Sequence, residues 1–258
     1  MEEEISPFDF ERRARSAAAA GFSGMSFWHT DLEHILKTRS LGEVKRILDD
    51  NGLGTFEVEF VEDWFAEGDR KAASDRRKWR LLEASQILGA HHVKVGDFHN
   101  TAVSMAHLIN AFGGLCADAA GYGATIGFEF MTSAMIHRLE DCLTMVQGAD
   151  AANGGLIVDI AHTNALGISN AEVAAIPGRF MVSVELGDNL KASSAGYNAG
   201  ERSYCGEGEL DIAGFVAAAR ATGYRGPWAV EVFNHVQANW PVEELDRRAF
   251  ETTLPFVG

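Results

Sequence analysis

Along most of the chain, short runs in which apolar and polar positions alternate give way to longer stretches in which apolar residues recur every three or four positions. The first period belongs to a strand with one covered face, the second to a helix. Strands are predicted from Gly24 to Trp28, Thr55 to Val61, His92 to Gly96, Thr125 to Phe130, Leu156 to Ile160, Met181 to Leu186 and Trp228 to Phe233. Helices are predicted from Asp9 to Ala20, Leu41 to Asp50, Asp75 to Leu88, Thr101 to Gly121, Met135 to Gly148, Ala171 to Ile176 and Ile212 to Thr222. Gly21, Gly52, Gly89, Gly121 and Gly223 stand where helices stop, as left-handed caps do when a helix feeds a strand.

Strand then helix, repeated at a period of roughly 30 to 35 residues, builds parallel β/α units. An open doubly wound sheet and a closed barrel share that pattern. The 258 residues favour the barrel, whose typical length is about 250. A dinucleotide-binding sheet would also carry a Gly-rich turn after its first strand, whereas Gly121-Tyr122-Gly123 with Gly127 comes before one. The expected fold class is therefore α/β, a (β/α)8 TIM barrel of parallel strands forming a single domain over residues 1–258. Its first strand is short or missing: a helix precedes the first clear strand, which leaves only Glu2 to Ser6 for an opening one.

Inside the strands a triplet recurs, apolar then charged then apolar: Val58-Glu59-Phe60, Val93-Lys94-Val95, Phe128-Glu129-Phe130, Val158-Asp159-Ile160, Val184-Glu185-Leu186 and Val230-Glu231-Val232. The outer face of a barrel strand packs under helices, so the apolar pair points out and the charge points in. Each charge sits near the C-terminal end of its strand, where barrels of this type build their sites. Glu59 and Lys94 fit either a structural ion pair or a place in the pocket. Glu129, Asp159, Glu185 and Glu231 come from consecutive strands with no cation in register between them. Four converging carboxylates repel one another and lose hydration, and a bound cation resolves both costs. Oxygen-only ligation suits one hard divalent ion, Mn2+ or Mg2+.

Polar residues follow these strand ends: His162 after Asp159, Asp188 and Asn189 after Glu185, Arg202 before Gly206-Glu207-Gly208, and Asn234 and His235 after Glu231. His162 and Arg202 are the expected substrate contacts, with Asp188, Glu59 and Lys94 as further candidates. Trp28, His29, Asp97 and His99 are weaker candidates for the pocket wall, and His91 and His92, at a strand start, belong to the opposite, structural face.

Composition narrows the function. With 22 Lys+Arg against 37 Asp+Glu the formal net charge is −15, which works against binding a polyphosphate backbone, so no nucleic-acid partner is expected. Cys116, Cys142 and Cys205 are widely spaced and odd in number, unlike a disulfide framework or a cysteine zinc site. Met1-Glu2-Glu3-Glu4 lacks the basic start of a secretory signal, and no apolar run spans a membrane, so a cytoplasmic protein without a membrane partner is expected.

From Gly21 to the end, the chain resembles the xylose isomerase-like barrels, the superfamily of sugar (phosphate) isomerases and epimerases. The resemblance is carried by Glu129, Asp159-x-x-His162, Glu185-x-x-Asp188, Arg202-x-x-x-Gly206-x-Gly208 and Gly226-Pro227-x-x-x-Glu231. It implies that Glu129 and Glu231 are both metal ligands and the acid and base, that Asp159 is a ligand, and that His162 and Arg202 touch substrate. Glu185 stands where such epimerases usually carry a histidine. The implied activity is metal-dependent isomerisation or epimerisation of a keto-sugar or related polyol by glutamate proton transfer through an enediolate. Dehydration of a keto-polyol, as in inosose and dehydroshikimate dehydratases, shares the first half of that chemistry. A third reading is a barrel subunit of a C-glycoside-cleaving complex. Related barrels are often dimers or tetramers, so a homodimer or homotetramer is the expected assembly. Apurinic endonucleases share the scaffold but resemble it with a histidine-rich zinc site and a basic face, neither of which this sequence has.

Overall fold

A computed structural model describes residues 4–190, 201–234 and 236–258. The first helix, α1 (Phe10–Ala20), starts where the Asp9 side chain accepts the N–H groups of Glu11 and Arg12, and stops at Gly21, whose φ of 109° suits glycine. The chain then runs through β1 (Gly24–Trp28), α2 (His29–Ile35), α3 (Leu41–Asp50), β2 (Gly54–Val61), α4 (Gly68–Leu88), β3 (His92–Val95), α5 (Met105–Ala120), β4 (Ile126–Glu129), α6 (Leu139–Ala149) and β5 (Gly154–Asp159). After it come α7 (Ile160–Ala165), α8 (Asn170–Ala174), β6 (Met181–Leu186), the short β7 (Asp188–Asn189) and β8 (Arg202–Ser203), α9 (Ile212–Ala221), β9 (Trp228–Val230) and α10 (Val242–Val257).

Seven parallel strands pair in the order β1-β2-β3-β4-β5-β6-β9 and curl into a TIM-barrel sheet with helices outside. The apolar flanks of the charged triplets, among them Val93, Val95, Phe128, Phe130, Val158, Ile160, Val184 and Leu186, join the main core under those helices. Their charged centres are thereby turned into the barrel. Of the residues predicted to hold an opening strand, Glu4 to Ser6 are not in one, and Met1 to Glu3 lie outside the described residues. Helix α4 starts seven residues before the predicted Asp75, and α2, α7 and α10 were not anticipated. In α10 the apolar positions are interleaved with charged residues and Pro255, which hides the period; the helix gains its partner in α1. The three cysteines are buried and unbridged. No helix among the described residues is long and apolar enough to cross a membrane.

Candidate metal centre

Glu129 ends β4, Asp159 ends β5, Glu185 lies near the end of β6, and Glu231 follows β9. One carboxylate oxygen from each falls within 4.8 Å of all the others. They share a height in the barrel but not, as expected, a register. Asp159 is level with Glu185, whereas Glu129 is level with Ile157 and Ala229, two residues before Glu231, is level with Glu185. Tilted barrel strands need such a stagger: residues level along the hydrogen bonds differ in height, and stepping up from strand to strand restores it.

The expectation that no cation lies among these carboxylates is corrected by two side chains. Arg202 is 1% exposed, and its Nη1 donates to Asp159 Oδ2 at 2.8 Å and to Glu231 Oε2 at 2.6 Å. Lys94, also 1% exposed, places Nζ 2.7 Å from Glu185 Oε1, 3.3 Å from Glu231 Oε1 and 3.8 Å from Glu129 Oε2. Sequence register missed both, because a long side chain reaches well beyond its own rung and Arg202 comes from a two-residue strand outside the barrel sheet.

The cations do not satisfy every acceptor. Glu129 Oε1 and both carboxylate oxygens of Glu185 are buried without a hydrogen-bond partner among the described residues. Burial, with neighbouring carboxylates, pushes Glu129 up to about 8 against the pull of Lys94, and holds Glu185 well above the usual carboxylate range. Glu231 goes the other way, to about 2: burial favours its neutral form, but Lys94 and Arg202 outweigh it. Buried carboxylate oxygens without partners, converging on one point, fit a hard divalent cation held by Glu129, Asp159, Glu185 and Glu231.

His162 stands beside this cluster because Asp159 caps α7, its Oδ1 accepting the His162 N–H at 2.8 Å. The imidazole Nε2 is 3.2 Å from Arg202 Nη2 and 3.6 Å from Glu129 Oε1. A guanidinium can only donate, so this contact makes Nε2 the acceptor nitrogen of a neutral ring. Burial lowers the pKa of the ring, against Asp159 and with the help of Arg202.

The structure takes Asp188 out of the pocket. Its carboxylate accepts the backbone N–H groups of Asn189, Gly206, Gly208 and Leu210, so it organises the loop and has no capacity left for substrate. A side chain at Gly208 would collide with Asn189 O and Asp188 Oδ1, which explains the glycine. Glu59 lies 3.3 Å from Lys94 Nζ and is held well above its usual range by burial and by Glu57. Of the weaker wall candidates, His29 and Asp97 are buried, Asp97 accepting N–H groups from His99 and Met135; His235 lies outside the described residues. Sequence reading overlooked Glu57, which lies 2.8 Å from His92 Nε2 and 3.5 Å from Lys94 Nζ beneath the cluster. The signal was the two-residue spacing of Glu57 from Glu59 and of His92 from Lys94, which puts each pair on one strand face.

Comparisons with known proteins agree with this architecture. The chain is 32% identical over 232 residues to a 3-dehydroshikimate dehydratase of Pseudomonas aeruginosa, covering 86% of this chain and 36% of that protein. The chain thus spans about a third of the length of that relative. Among solved structures, a xylose isomerase-like TIM barrel/4-hydroxyphenylpyruvate dioxygenase fusion protein matches with a TM-score of 0.87 and 26% identity, over 96% of this chain and 40% of that one. The IOLI protein, solved with a bound zinc atom, matches with a TM-score of 0.88 and 18% identity, over 97% of this chain and 93% of that one. Sugar epimerases also share the fold, at 18% identity or less. The sequence pattern of the xylose isomerase-like TIM barrel matches residues 14–252, nearly the whole chain, which therefore belongs to that family.

Proposed function

We propose that this chain is a divalent-metal-dependent dehydratase acting on a cyclic keto-polyol acid of the 3-dehydroshikimate class. The observation that carries the reading is the buried His162, held by Arg202 and 3.6 Å from Glu129 in the carboxylate cluster, in a chain 32% identical to a dehydratase of that substrate. Glu129, Asp159, Glu185 and Glu231 would hold the cation. When bound, Mn2+ or Mg2+ would polarise the substrate carbonyl and acidify the C–H beside it. His162, buried beside Glu129 and held through Nε2 by Arg202, is the base for that proton once substrate takes the place of the guanidinium contact. As the proton leaves, a C=C bond forms, the C–O bond of the β-hydroxyl breaks, and the departing hydroxide takes a proton to leave as water. Glu129, 3.6 Å from the imidazole, is placed to exchange protons with it. For a ring that already holds one double bond, tautomerisation then yields an aromatic diol.

Supplying 3-dehydroshikimate and Mn2+ and following the ultraviolet absorbance of the aromatic product tests the reading. Release of that product, and its loss on EDTA treatment, are the expected results. The second reading, an epimerase, rests on Glu129 and Glu231 being two separate carboxylates at one centre. A ketohexose epimerised without any aromatic product would establish it and overturn the first. A homodimer or homotetramer is proposed as the working assembly, to be read from light scattering.

A further inference from the structure

Within the carboxylate cluster, Glu185 is the member whose charge most needs an explanation. It is 1% exposed, and its neighbours across the ladder are Asp159, a second negative charge, and Ala229. Its Oε1 is 2.7 Å from Lys94 Nζ, nearer than Glu231 and Glu59 at 3.3 Å, Glu57 at 3.5 Å and Glu129 at 3.8 Å. Neither Oε1 nor Oε2 makes a hydrogen bond among the described residues, so the Lys94 contact at Oε1 is an ion pair and Oε2 is left with no charged neighbour at that distance. Lys94 starts from β3, on the far side of β4 and β5 from β6. The residue level with it on β4 is Gly127, whose missing side chain leaves room for Ile157 and His92.

We infer that Lys94 is a positioning residue of the metal centre: it holds one oxygen of Glu185, leaves the other for the cation, and supplies the charge that balances a fourth carboxylate. Four carboxylates bring four negative charges, and Arg202 on Asp159 and Glu231 returns one. A dication returns two more, which leaves one in excess inside a poorly solvated barrel, and Lys94, shared with Glu57 and Glu59 but nearest to Glu185, is the cation that offsets it. A neutral ligand in place of Glu185 would need no such lysine. The inference rests on the divalent-cation reading and is independent of the substrate.

Thermal unfolding of the wild type, Lys94→Met, Glu185→Gln, Glu57→Gln and the double variants K94M/E185Q and K94M/E57Q, each with and without Mn2+, tests it. Metal-free Lys94→Met should unfold roughly 10 °C below wild type, the scale for stranding buried charge in a chain of this size. Mn2+ should restore most of that loss, so the Mn2+-induced shift grows about twofold, and K94M/E185Q should be more stable without metal than Lys94→Met alone. If Lys94→Met does not fold without Mn2+, a folded double variant supports the inference and an unfolded one overturns it. A Mn2+-induced shift equal to that of wild type, with Lys94→Met coupled to Glu57→Gln and not to Glu185→Gln, also overturns it and leaves the metal reading standing. A wild type with no Mn2+ response at all overturns the metal reading itself.

Discussion

Glu57 and the four carboxylates above it share one barrel interior and differ in how completely they are hydrogen-bonded. Glu57 is 3% exposed, with Oε2 on His92 and Oε1 toward Lys94. Burial works to raise its pKa, yet Lys94 and His92 carry it below the ordinary carboxylate value. In the upper group, Glu129 is 4% exposed and Glu185 1% exposed, and both are pushed up. Depth is the same in the two places; the supply of partners is not. A buried charge with its partners in place is architecture, and a group of them short of partners marks where something from outside is to bind.

The sharpest way to break this contrast is to neutralise the upper group. Glu129→Gln and Glu231→Gln should each lower kcat by about 10³-fold or more, with circular dichroism unchanged. A folded variant that kept its turnover would remove the upper group from the chemistry. His162→Asn should lose about 10²- to 10⁴-fold in kcat while keeping the wild-type Mn2+-induced rise in Tm, since it is placed beside the cation ligands and is not one of them. The lower carboxylate should respond in stability: Glu57→Gln strands His92 and part of the Lys94 charge and should cost about 3 kcal/mol, read from denaturant unfolding, with the Mn2+ response intact. Mn2+ at 100 times its Kd should stabilise the wild type by about 2.7 kcal/mol and do so far less in Glu129→Gln. The smallest effect lies outside both Glu57 and the upper group. Burial lowers the His29 pKa from its ordinary 6.5 to about 4, against Glu33 and Glu62 and with Arg77. The folded protein therefore resists the proton that the unfolded chain accepts. Stability from this site is complete above pH 6.5 and is lost as pH falls toward 4. The loss is on the order of 1 kcal/mol after allowing for solvent at the ring, and a pH series of Tm for His29→Asn against wild type reads it.

Much of this architecture could be read from residue types. Alternation around Phe128-Glu129-Phe130 and Val158-Asp159-Ile160 locates strands and inward charges alike, because a side chain's face is set by its own position in the strand. The site was legible to the same depth: the four carboxylates chosen from their triplets are the four that meet. Partnership was less legible. Asp188 looked like a substrate contact by its place after β6 and is consumed by a loop whose path depends on Gly206 and Gly208. Glu59 and Lys94 fitted either a structural ion pair or a place in the pocket, and Lys94 is shared across the barrel with its closest contact on β6.

What the sequence by itself determined is local: which residues form parallel β/α units and which face each charge takes. Tertiary structure decided the rest. Barrel stagger brings Glu129, Asp159, Glu185 and Glu231 to one height from different ladder levels. Lys94 and Arg202 enter from elements that no short-range pattern links to those carboxylates. The physical reason is that side-chain direction is a property of one strand, whereas the balance of buried charge is a property of every strand that faces the same space.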